Sequence, residues 1–94
     1  MSNLSVVRVP ERFDFSSHKT FTENTDVALK DSQVSLISLD FSQVNYLDSA
    51  ALGMVVYLHK KTAAANKKIQ IINASGVAEE ILLVANINKI IDIK

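Results

Sequence analysis

An α/β fold with a mainly parallel four-stranded sheet, in the order βαβαβαβ, is what this sequence predicts. Three observations point there. Four short apolar runs rich in β-branched residues recur along the chain, each separated from the next by a segment of helix formers. Those intervals are long enough for the crossover helix that a parallel connection needs. With 48% hydrophobic residues but only 2 Gly and 1 Pro in 94, the composition favours regular elements over loops. A chain of this length is expected to form one domain, residues 1–94. Right-handed crossovers taken in one direction would put the helices mostly on one face, leaving the other face to be covered or to be less apolar.

Residues 4–9 (LSVVRV) are the first expected strand, closed by Pro10, which cannot donate to a ladder. Ser16, Ser17, His18 and Lys19 then offer cap groups to a helix over 21–29, weakened by threonines at 20, 22 and 25. Asp31 and Ser32 break it. Residues 35–41 (SLISLDF) read as a strand inside a sheet. The segment 49–66 has no proline and carries its lysines in the later half, where they suit the negative end of a helix dipole. Residues 68–72 (KIQII) are the third strand, 76–85 (GVAEEILLVA) the third helix and 90–93 (IIDI) the fourth strand. Asn86 stands where a residue must turn left-handed to end a helix.

Several function classes are excluded or disfavoured by composition. Ten basic and ten acidic residues cancel, so nothing draws the whole chain to nucleic acid or anionic lipid. Without cysteine there is no disulfide, thiolate catalysis or Cys-based zinc site. The N-terminus lacks a secretory pattern, and no apolar run approaches the ~20 residues that cross a bilayer, so a cytoplasmic protein without membrane insertion is expected. Lys60, Lys61, Lys67 and Lys68 cluster without arginine or interleaved aromatics and read as a solvated helix end, not a nucleic-acid site. There is no G-x-S-x-G elbow, and His18 and His59 occupy unrelated positions, so catalysis is not expected. His59 has no second ligand four residues away, and no glycine-rich phosphate loop occurs; neither metal nor cofactor is expected.

The stretch YLDSAALG, residues 46–53, places Asp48 and Ser49 where the longest helix should begin. Both residues are good caps, a role worth ~1 kcal/mol that explains most such pairs. A helix N-terminus also has unpaired N–H groups and a positive dipole, so a phosphate on Ser49 would be received without refolding. After Ser49 the helix is apolar all round. Leu52, Val55, Val56 and His59 have the spacing of a core-facing stripe, which leaves Ala50, Met54 and Tyr57 for an exposed docking patch or for burial under a loop.

The run DFSQVNYLDSAALGMVV resembles the core of the STAS domain, and in particular the stand-alone anti-sigma factor antagonists of bacterial partner-switching systems, whose motif reads Asp-Ser-Ser/Thr-Gly-Leu-Gly. ERFDF at 11–15 is similar to the family's Gly-x-Leu-Asp segment, and NASGVAEEILLVANINKIIDI to its third helix and last strand. The resemblance implies a STAS-type fold with Ser49 as the phosphorylated serine. It also implies a serine kinase of the anti-sigma type that modifies Ser49, a PP2C-like phosphatase that restores it, and target binding by the unmodified form alone. Partner contacts are then expected at Asp14, Ser16, Ser17, Asp48, Ser49, Ala50, Ala51, Leu52, Gly53, Met54 and Tyr57, on a monomer; for Asp14 a plain turn or cap role, and for Ser16 and Ser17 cap duty, is the alternative. Ala50 replaces a second hydroxyl, Ala51 a motif glycine and Glu11 a usual glycine; Ala51 would limit how closely a kinase backbone approaches. Relative to longer members the chain starts about one strand late and lacks their extra C-terminal helix. The alternative is a STAS subunit of a larger assembly, such as a lipid-transport complex, in which the same surface makes a constitutive contact.

Overall fold

The computed structural model describes residues 3–94. Its elements run β1 (Leu4–Arg8), β2 (Arg12–Phe13), α1 (His18–Lys30), β3 (Leu36–Asp40), β4 (Tyr46–Leu47), α2 (Ser49–Ala64), β5 (Lys68–Ile72), α3 (Gly76–Val84) and β6 (Asp92–Ile93). Short 3₁₀ turns at Phe15–Ser17 and Ile87–Lys89 lead into α1 and towards β6.

The main sheet is parallel throughout and ordered β1-β3-β5-β6, the arrangement that successive crossovers in one direction produce. Strand periodicity divides its faces. Val7, Leu39, Ile71 and Ile93 lie level across the four strands and point into the core. That core is one cluster to which α1 gives Phe21 and Ala28, α2 gives Ala51, Val55 and Leu58, and α3 gives Ala78 and Leu82. All three helices therefore cover the same face. The row on the other face is Val6, Ser38, Gln70 and Asp92, where the Gln70 amide donates to the Ser38 hydroxyl at 2.7 Å. That face is less apolar, which answers how a singly covered sheet is tolerated.

A second, two-stranded sheet was not expected from the sequence. Arg12 pairs with Tyr46 and Phe13 with Leu47, in parallel. Phe13 and Leu47 point inward and are buried, Phe13 packing against Phe21 and Phe41 with ring centroids 5.0 and 6.2 Å away. Two residues cannot display a period, so these strands exist only through their pairing.

Element ends differ from the sequence reading by a residue or two in most places, and two starts and one buried stripe differ in ways that matter. Helix α1 begins at His18 rather than Phe21, because Asp14 caps a 3₁₀ turn that leads into it and Ser17 is the N-cap residue of the helix itself. The Asp14 carboxylate accepts the Ser16 N–H at 3.0 Å, and the resulting 3₁₀ turn runs straight into the helix; Ser17 makes no cap bond through its side chain. Strand β6 is confined to Asp92–Ile93, since the 3₁₀ turn before it carries Ile87 into the core. The buried stripe of α2 is Ala51, Val55, Leu58 and Thr62, not Leu52, Val55, Val56 and His59. The Thr62 hydroxyl satisfies itself on the His59 carbonyl at 2.8 Å, so a polar residue fits the core at no hydrogen-bonding loss. Asn86 does turn left-handed after α3, with φ of 61°, as Asn66 does after α2, with φ of 58°.

Candidate functional site

The small sheet assembles the site. Because Phe13 pairs with Leu47, the residues that follow them, Asp14 and Asp48, leave the sheet side by side, and the Asp48 N–H donates to the Phe13 carbonyl at 3.3 Å. Each aspartate then starts a helical segment. Asp48 accepts the Ala51 N–H at 2.8 Å and caps α2. Asp14 caps the turn into α1, accepts a second hydrogen bond from the Ser16 hydroxyl, and is held by Arg12, whose Nε donates to it at 3.0 Å. The Ser16 hydroxyl first, and Arg12 second, keep the Asp14 carboxyl below its ordinary pKa. The Ser17 hydroxyl donates to the Arg12 carbonyl at 3.3 Å, tying the turn back to β2.

Ser49 is the first residue of α2 and is exposed. Along the outer surface of that helix, Ser49, Gly53, Tyr57 and Lys60 follow one another at helical spacing, and all four are exposed. This ridge has a half-buried flank on each side. Ala50 and Met54 lie on one, where Met54, Tyr57 and Lys61 meet His18, Phe21 and Thr25 of α1 in a shallow cleft. The Lys61 ammonium sits 3.1 Å from Asp26 of α1 and 5.0 Å from the Tyr57 ring centroid. Leu52 and Val56 lie on the other flank, and Leu52 borders an open, mainly apolar groove with Glu80, Ile81 and Val84 of α3 and Ala85 just after it. Nothing lies within 4 Å of where a Gly53 side chain would begin, so its lack of one keeps the ridge low.

Ten of the eleven expected contact residues thus line the start of α2 and the turn before α1 with some exposure. Ala51 is the exception: it is 0% exposed, with its methyl in the core, and so has no surface to offer a partner. The sequence reading also missed Arg12, Phe15 and Tyr46, which surround the site. Phe15 is 71% exposed and stacks on His18 at 6.1 Å, and Arg12 lies over the Tyr46 ring at 4.9 Å. A large apolar residue followed by Asp, with Ser close behind, occurs at Phe13-Asp14, Leu39-Asp40 and Leu47-Asp48, so this pattern alone does not single out the site. His59 sits half-buried in the later half of α2, away from Ser49, and its buried Nδ1 has no hydrogen-bond partner among the described residues. Among the described residues no group of three or more His, Cys, Asp or Glu is placed to hold a metal, and no helix is long and apolar enough to cross a membrane.

The STAS domain family model matches residues 2–94, and the chain belongs to that family. A STAS-domain containing protein of Pseudomonas aeruginosa is 30% identical over 88 residues, covering 93% of this chain and 84% of that protein. Among solved structures, a candidate anti-sigma factor antagonist of Thermotoga maritima superposes with a TM-score of 0.84 at 19% identity, over 99% of this chain and 80% of that one. The phosphorylated form of the Bacillus cell fate determinant SpoIIAA gives 0.71 at 15% identity, over 98% and 83%. The STAS domain of a SulP transporter from Vibrio cholerae gives 0.76 at 18%, over 95% and 68%. At these identities the structures establish a shared fold.

Proposed function

We propose that this protein is a partner-switching regulator of the anti-sigma factor antagonist type, binding a protein target when Ser49 is unmodified and releasing it when Ser49 is phosphorylated. The observation that carries the reading is the exposure of Ser49 at the first position of α2, at one end of a low ridge with apolar flanks. Of the two hydroxyl positions in the family's motif, only Ser49 keeps its oxygen here. A phosphate there adds about −1.5 to −2 charges at neutral pH, and burying that charge against a partner costs desolvation that the hydroxyl does not. The modifying enzymes would be an anti-sigma-type serine kinase and a PP2C-like serine phosphatase, and the chain itself acts by binding, without catalysis. Contacts extend over Asp14, Ser16, Ser17, Asp48, Ala50, Leu52, Gly53, Met54 and Tyr57.

The likeness to a SulP transporter STAS domain favours a second reading, in which the same surface makes a constitutive contact within a larger assembly and Ser49 is structural. One experiment separates the two. Ser49→Ala and Ser49→Asp proteins are used to capture partners from lysate, with Ser49 modification followed by mass spectrometry. Partners kept by Ala and lost by Asp, with phosphate found on Ser49, are expected for the switch. Equal recovery and an unmodified Ser49 would leave the constitutive contact.

A further inference from the structure

Ser49 is set among carboxylates. Asp48 precedes it and Asp14 stands beside Asp48 across the small sheet, so a dianion on Ser49 would meet two negative neighbours. One cation at this end of the molecule is already aimed at them. Arg12 is level with Tyr46, three residues before Ser49, yet its side chain leans forward along β2: Cζ rests over the Tyr46 ring at 4.9 Å and Nε reaches Asp14 at 3.0 Å. Asp14 follows Phe13 and Asp48 follows its partner Leu47, so the guanidinium is held on the β2 side of the turn that leads into Ser49.

The guanidinium is also underused. Only Nε is hydrogen-bonded, both Nη groups have no partner among the described residues, and the side chain is 71% exposed. Four N–H donors are therefore free in the planar fork that suits phosphate oxygens. The aromatic face beneath holds the fork in place and lowers the entropy lost on binding.

We propose that Arg12 is the intramolecular ligand of the phosphate on Ser49, drawn from Asp14 to the phosphate when the serine is modified. The inference rests on the switch reading and deepens it. In the unmodified protein Arg12, on Tyr46 and beside Asp14, is a cation and a flat aromatic surface offered to the target. After modification the same guanidinium is engaged with the phosphate and withdrawn from that surface. The off state then has two parts: a charge added at Ser49 and a cation removed at Arg12.

The test installs phosphoserine at position 49 directly, so that it does not depend on finding a kinase. ³¹P NMR titrations follow the second ionisation of the phosphate in the wild-type background, in Arg12→Gln and in Arg12→Lys, while the Arg12 side-chain N–H resonances are compared with and without the phosphate. Other titratable groups at this end, Asp14, Asp48, Tyr46 and His18, are unchanged in all three proteins. The apparent phosphate pKa is expected to rise by ~0.5 in Arg12→Gln and by less in Arg12→Lys, and the Arg12 resonances to move on phosphorylation. Identical titrations in wild type and Arg12→Gln would overturn the proposal. A failure of the switch reading looks different: partner capture would be indifferent to Ser49 while the titration still reported the arginine.

Discussion

Asp48 serves α2 through a single 2.8 Å hydrogen bond to the Ala51 amide, and removing it strands a helix donor. Asp48→Ala is expected to cost about 1 kcal/mol, read as a lower urea midpoint with an unchanged m-value. Gly53 is the opposite case. It is helical and faces open space, so Gly53→Ala should stabilise the fold by about 0.5–1 kcal/mol. It also raises the ridge that runs from Ser49 to Lys60, so the same change should weaken target capture; a stabler protein that binds equally well would remove Gly53 from the contact surface. Asp40, at the end of β3, has its carboxyl held below the ordinary value by the Ser42 N–H at 2.9 Å and the Asn73 amide at 3.1 Å, with Arg8 at 4.0 Å. A depressed folded pKa stabilises above the unfolded value of 3.8, and that contribution is lost as pH falls through the folded value. The stability gap between wild type and Asp40→Asn should accordingly be constant near neutrality and shrink below pH ~4, measured by thermal unfolding across that range.

Among the elements, α2 shows how burial outweighs surface charge. Leu58 is 1% exposed, and Leu58→Ala should cost about 2–5 kcal/mol. The Lys61–Asp26 pair that bridges α2 to α1 at 3.1 Å is partly solvated, and its loss should cost at most about 1 kcal/mol by double-mutant cycle. The stripe of this helix was misread by about one residue because residues 50–58 are apolar all round, so 3-4 spacing admits more than one phase. Contact with the sheet, at β5, and with α1 selected Ala51, Val55, Leu58 and Thr62. Ser16 and Ser17 were plausible caps for α1 by residue type alone. Asp14, also readable as a turn or cap residue, caps the 3₁₀ turn before α1 through the Ser16 N–H, two residues on.

At the scale of the molecule, the sheet has a centre and two edges. Strand β3 is paired on both sides, by β1 and β5, whereas β6 is two residues long at the margin. Amide exchange should be slowest in residues 37–40 and fastest among the strands at 92–93. Phe13 joins the small sheet to the main core through Phe21 and Phe41, and Phe13→Ala is expected to cost about 3–5 kcal/mol while also loosening the Asp14–Asp48 arrangement. The element order and the parallel sheet could be read from the sequence because each strand and helix carries its own period and breakers. The open face could not, since the polarity of Ser38 and Gln70 matters only once they are known to be neighbours.

By itself the sequence determined the alternation of strands and helices, the start of α2 at Ser49, the left-handed turn at Asn86 and the serine on which the proposed switch depends. Those features are local: they follow from propensity, capping and a motif within a few consecutive residues. Tertiary structure decided the phase of α2, the burial of Ala51, the pairing of β2 with β4 and the placement of Arg12 over Tyr46 beside Asp14. Each of these joins residues more than thirty positions apart or chooses among locally equal alternatives, and only the packed core and the strand ladders have the energy to choose.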